Sequence, residues 1–171
     1  MIISEVYNYK NGYVFLMINI YGIPESINID GLKLILKSEF HITLINVEAT
    51  SKFINIENAK SIETEILEEF KKFIIEKPLD QYSLFKKFRF VSRDNRKTII
   101  AMANVSNLID FFDLIGNKYN KTIPYQPTHA TLYGLLGKRS IGLLSNQELK
   151  RDSKKIVISE LEDLKFNRHH K

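Results

Sequence analysis

His41 and Thr43, followed by Leu44, sit in the run EFHITLIN, and His129 and Thr131, followed by Leu132, repeat the arrangement in PTHATLYG. The chain holds only four histidines in 171 residues. From its own composition, x-Thr-Leu follows a given histidine by chance roughly once in 230. A lone His-x-Thr carries no information, whereas the pair does. In a strand, alternate side chains share a face, so His41 and Thr43 project together while Phe40, Ile42 and Leu44 point to an apolar side. The second copy sets His129, Thr131 and Tyr133 on one face and Ala130 and Leu132 on the other. Imidazole titrates near neutrality, so one ring can take a proton while the other delivers one. Threonine hydroxyls can donate to the non-bridging oxygens of a phosphodiester, and such bonds strengthen as charge builds in the transition state.

Two anchored strands must hold these side chains, and the rest of the chain predicts an α+β fold around them. Tyr13 to Tyr21 reads as a strand rich in β-branched and aromatic residues, and another lies within Ile35 to Val47. Asn58 to Lys77 carries Ile62, Ile66, Leu67, Phe70, Phe73 and Ile74 on one helical stripe, stopped by Pro78. Tyr82 to Val91 and Lys97 to Val105 form a hairpin across the polar turn Ser92 to Arg96. Ser106 reads as the N-cap of a second helix carrying Leu108, Phe111, Phe112 and Ile115, which Gly116 ends. His129 to Leu135 is the second motif strand, Ser145 and Glu148 suggest a short capped helix, and Ile156 to Phe166 closes as a strand. The uneven joins favour antiparallel sheets over a doubly wound parallel one. Each half offers an H-x-T-L strand and an amphipathic helix, which predicts one domain over residues 1–171 made of two facing lobes.

Composition narrows the class. With 44% hydrophobic and 26% charged residues the chain is globular, and with no cysteine it has neither disulfides nor zinc–thiolate sites. That fits a reducing, cytoplasmic setting. Tyr13 to Tyr21 is too short to span a bilayer, and no signal-peptide pattern is present, so no membrane association is expected. No cofactor and no obligate protein partner are expected. A zinc or iron site on His41 and His129 is the metal alternative, but no carboxylate recurs at a fixed offset from the two motifs. The net charge of +5 is compatible with a polyanionic partner, although a lysine-rich solvated surface explains it equally. Lys86, Lys87, Arg89, Arg93, Arg96 and Lys97 crowd the hairpin, and Lys150, Arg151, Lys154 and Lys155 form a second cluster.

The paired motifs, the second behind a loop bearing Pro124 and Pro127, resemble the two-histidine (2H) phosphoesterase superfamily, which includes RNA 2′,3′-cyclic phosphodiesterases and bacterial RNA-ligase-like proteins. The likeness runs from about Val14 to Phe166. It implies a two-lobed, pseudo-symmetric α+β fold with antiparallel sheets lining a central cleft and helices outside. It also implies metal-independent chemistry, with His41, Thr43, His129 and Thr131 as the catalytic tetrad. The sequence departs from the pattern in having Asn46-Val47-Glu48-Ala49 where many members carry Phe-Leu-Gly-Glu after the first motif. Tyr133-Gly134 stands where RNA-acting members place an arginine, and the stretch before His41 is short. Substrate candidates are a nucleotide or short RNA with a cyclic or 2′–5′ phosphodiester. Cyclic oligonucleotide immune signals, cleaved by phage-type relatives, are an alternative, as is a non-catalytic RNA-binding module. For substrate contacts, Tyr133 follows the histidine face and could stack on a base. Tyr125 and Phe88 are weaker candidates, Lys86 and Arg89 could meet phosphate, and His169 and His170 belong to a frayed terminus.

Overall fold

The structure is a computed structural model and describes residues 3, 6–79 and 82–168. His169 and His170 lie outside the described residues. The fold is α+β, with ten strands in one sheet whose pairings are all antiparallel. Strands β1 (Tyr7–Lys10) and β2 (Tyr13–Tyr21) form a hairpin over Asn11-Gly12. Both turn residues have positive φ (52° and 82°), the conformation a two-residue hairpin of this hand requires. β3 (Ser26–Ile29) and β4 (Leu32–Leu36) form a second hairpin, and β5 (Phe40–Asn46) carries the first motif. β6 (Tyr82–Arg93) and β7 (Arg96–Val105) pair in turn, and β8 (His129–Gly134) carries the second motif. β9 (Ser153–Ile156) and β10 (Lys165–Arg168) finish the sheet. The main path runs β1-β2-β5-β8-β7-β6-β9, so the two motif strands are central neighbours.

Three of the helices pack into the main core, and the fourth packs on the smaller cluster around Val91 and Ile100. Asn46 caps α1 (Val47–Ile54) by accepting the Ala49 amide at 2.9 Å. α2 (Ala59–Glu76) lies within the predicted Asn58 to Lys77, and its buried Ile62, Ile66, Phe70 and Phe73 join the core. α3 (Leu108–Tyr119) adds Phe111, Phe112 and Ile115, with Phe70 and Phe111 meeting edge-to-face at 5.3 Å. α4 (Asn146–Asp152) has Ser145 as its cap, accepting the Glu148 amide, as the sequence predicts. Among the described residues no helix is long and apolar enough to cross a membrane.

The boundaries depart from expectation in several places. α3 is preceded not by Ser106 but by Asn107, which is left-handed (φ 61°) and makes no side-chain cap; its amide nitrogen reaches the Pro78 carbonyl instead. Nor does Gly116 end α3. The helix continues to Tyr119, and the glycine is needed because a Cβ there would come within 2.6 Å of the Lys121 carbonyl. The segment Ile156 to Phe166 is not one strand but the end of β9, a 3₁₀ turn at Ser159–Leu161 and the start of β10. α1 and the β1 and β3 strands have no counterpart in the sequence reading.

Both motif strands carry a bulge at the same place. Val14 pairs with Ile45 but Phe15 with Thr43, so Leu44 is an extra residue in β5. Ile99 pairs with Tyr133 but Ile100 with Thr131, so Leu132 is an extra residue in β8. Each bulge reverses the alternation behind its threonine and turns Ile45 and Tyr133 into the main core. Beyond Leu132, β8 changes partner from β5 to β4, and the Leu132 carbonyl accepts the Lys37 amide at 2.8 Å.

Candidate active site

Ile42 pairs with Ala130 across β5 and β8. Continued one residue each way, that antiparallel register sets His41 against Thr131 and Thr43 against His129. That register puts the four side chains in a quadrilateral with the histidines on its diagonal, where Cα atoms stand about 7–8 Å apart. All four line a cleft of about 860 Å³ on the sheet face opposite buried Ile42 and Ala130. They sit side by side on adjacent strands of one sheet. Side chains therefore alternate as expected as far as each threonine, and Ile42 and Ala130 on the reverse side are fully buried.

His129 is the more constrained ring. Only 7% of its surface is exposed, and Nδ1 lies 2.8 Å from the Pro127 carbonyl. A carbonyl can only accept, so Nδ1 carries the proton and the neutral ring offers its Nε2 lone pair. The start of β8 is itself pinned. The Ala103 amide donates to the Thr128 carbonyl at 2.9 Å, and the Thr128 hydroxyl donates to the Ala103 carbonyl at 2.8 Å. Burial lowers the His129 pKa, the Pro127 hydrogen bond pushes it up, and nearby His41 lowers it further.

His41 is open to the cleft, with the Phe15 ring against it at 4.9 Å between centroids, tilted by 49°. Enough protein surrounds it that lost hydration lowers its pKa, against an upward push from Glu39. Thr43 and Thr131 are half-buried, with their hydroxyls available to a ligand in the cleft.

Two walls complete the cleft. On one side stands the β1–β2 hairpin, whose Gly12 carbonyl accepts the Val47 and Glu48 amides at 2.8 and 3.3 Å. On the other, residues 135–144 fold back over β6 and β7, where Ile141 and Leu143 pack on Val91 and Ile100. Arg93 holds this segment, donating to the Gly142 carbonyl and pairing with Glu148 and Asp152. Gln126 closes the floor by accepting the Asn46 amide at 2.7 Å and donating to Thr50.

None of the four sequence-predicted substrate contacts lines this cleft. Tyr133 is turned into the core by the β8 bulge, where its hydroxyl donates to the Pro24 carbonyl at 2.8 Å and burial pushes its pKa up to about 12. Lys86 lies in an irregularity of β6, exposed and bonded to the Glu162 carbonyl. Arg89 faces the same side as the tetrad but two strands away, clamped on Ser153. Tyr125 donates to Asp113 and packs on Phe112. Phe88 is core. The residues missed instead are Phe15, Gln126, Lys10, Glu39 and Arg139, together with Arg93 and Arg96 from the basic cluster at the hairpin. Alternation along β2 puts Tyr13, Phe15 and Met17 on one face, but only the pairing with β5 identifies that face as the cleft.

Among the described residues no group of three or more His, Cys, Asp or Glu side chains is placed to hold a metal ion. No family model, curated protein or solved structure matches the chain.

Proposed function

We propose that this protein is a phosphodiesterase that hydrolyses a cyclic or 2′–5′ phosphodiester in a nucleotide or short RNA by two-histidine acid–base catalysis, without a metal. The observation that carries this reading is the tetrad on β5 and β8, with its His129 tautomer set by Pro127. His129 Nε2 removes a proton from water as the water oxygen bonds to phosphorus. The bond from phosphorus to a ribose oxygen breaks, and protonated His41 gives its proton to that departing oxygen. Thr43 and Thr131 donate to the two non-bridging oxygens, where negative charge accumulates.

A pseudo-symmetric, 2H-like architecture goes with this proposal. In its support, the order β1-β2-β5-β8-β7-β6 reads as hairpin, motif strand, motif strand, hairpin, and each motif strand bulges at its leucine. Purified protein incubated in EDTA with 2′,3′-cyclic nucleotides, 2′–5′ oligoadenylates and cyclic dinucleotides tests the function. Turnover of one of these classes that chelator leaves unchanged is the expected result. Activity that collapses in EDTA and returns with zinc or manganese would replace it with a metal mechanism, and tight binding of RNA without turnover would leave a binding module.

A further inference from the structure

The cleft is larger and more cationic than its tetrad needs. Its volume of about 860 Å³ stands near the top of the roughly 300–1,000 Å³ range of small-ligand sites. Four cations line it, and their local commitments differ. Arg93 is spent on Glu148 and Asp152, and Arg96 approaches Asp94 at 3.4 Å. Lys10 and Arg139 are exposed and make no ion pair among the described residues. Of the two lining carboxylates, Glu48 is paired with Lys52, which leaves Glu39 beside His41.

Position adds to charge. Lys10 pairs with Tyr13, and Tyr13 with Asn46, so Lys10 shares the cleft face with Phe15. Two strand spacings and two residues of rise put its Cα about 12 Å from that of Thr43. At that offset its long side chain can meet a phosphate on the neighbouring nucleotide. Arg139 comes from the opposite wall, in the segment after β8.

We infer that Lys10 and Arg139 form a subsite for a second phosphate group of the same substrate, so that the preferred substrate carries a phosphate beyond the one being cleaved. This rests on the phosphodiesterase reading for the first phosphate only. The second phosphate could be a terminal phosphomonoester or an internal phosphodiester, and the test separates them. kcat/KM is measured for wild type, Lys10→Ala and Arg139→Ala on three substrates: adenosine 2′,3′-cyclic phosphate, its 5′-phosphorylated form, and an adenylyl dinucleotide ending in the cyclic phosphate. In each variant, preference for at least one of the larger substrates over the first should fall about five- to thirtyfold, the worth of one solvent-accessible charge-assisted bond. Which larger substrate suffers names the kind of phosphate. Equal losses on all three, or no loss on any, would overturn the subsite.

A binding arm keeps this separable from catalysis. The affinity of a 3′-phosphorylated adenylyl dinucleotide is measured by calorimetry at low and at physiological salt. Each variant should bind more weakly, with its log–log salt slope reduced by about 0.7, the value per phosphate contact on a single strand. If wild type cleaves none of the three substrates, the 2′,3′-cyclic branch of the hydrolytic reading fails and this arm alone decides the subsite. Weakened, less salt-sensitive binding in the variants upholds the subsite, and unchanged binding removes it.

Discussion

Replacing the two histidines one at a time should give unequal losses, because the structure holds them differently. Positioned acid–base groups are worth about 10²–10⁴ in rate. His129 is buried, and its Nε2 is aimed by the Pro127 hydrogen bond, so in His129→Ala no water occupies an equivalent, oriented position. Its loss belongs at the upper end, about 10³–10⁴ in kcat/KM, or about 4–5.5 kcal/mol of transition-state stabilisation. His41 is open to the cleft, so solvent can partly replace it in protonating the departing oxygen. His41→Ala should therefore lose about 10²–10³, or about 2.7–4 kcal/mol. The double variant should lose far less than the product of the two, since one proton transfer is of little use without the other. The assay is steady-state hydrolysis of one cyclic substrate. Circular-dichroism melts accompany it, because removing the ring leaves the Pro127 carbonyl without its donor, at about 1 kcal/mol. If His41→Ala proves the more damaging, the assignment of base to His129 is wrong. If either folded variant keeps near-wild-type turnover, that histidine leaves the mechanism.

The free-enzyme pH profile should be bell-shaped with its optimum below 6.5, since surrounding protein lowers both imidazole pKa values from 6.5, and an optimum above pH 7 would contradict this. Glu39→Gln should move the alkaline limb to lower pH, because Glu39 pushes the His41 pKa up. Folding stability should be full above pH 6.5 and decline as pH falls below it, since the unfolded chain then binds protons that buried His129 does not; His129→Ala should flatten that decline in denaturant titrations. Thr43→Ala and Thr131→Ala should each cost about 10–10² in kcat/KM, less than the loss of either histidine, because the proton transfers survive. Tyr133→Phe should lower unfolding free energy by about 1 kcal/mol through the lost Pro24 bond while kcat/KM stays within about twofold; a tenfold activity loss would return Tyr133 to the cleft.

The candidate catalytic groups were legible in the sequence, but their surroundings were not. Paired H-x-T-L motifs stood out because histidine is scarce here, and α2 showed through six apolar residues on one stripe. Strict period-two alternation then misplaced Tyr133, since Leu132 adds a residue whose side chain gives no local sign of it. Asn46 read as a departure from a family pattern, whereas its position makes it the cap that starts α1 directly behind the first motif. Lys86 and Arg89 carried the right charge on a neighbouring hairpin, but partners far along the chain, Glu162 and Ser153, take up their donors. Lys10 and Arg139 enter the cleft only through strand order and through the return of residues 135–144, and both of these are long-range facts.

The two leucine bulges also limit how this surface can diversify. Because the chain inverts immediately behind each threonine, β5 and β8 can each present only a short stripe to the cleft before their side chains belong to the core. Substitutions at Ile45 or Tyr133 therefore answer to packing, and under the proposed function selectivity for one ligand over another falls to the β1–β2 hairpin and residues 135–144. Exposed rim positions such as Lys10 and Arg139 can change charge with little strain on the centre. Under the proposed function, one tetrad could thus serve different ligands, distinguished only by the rim.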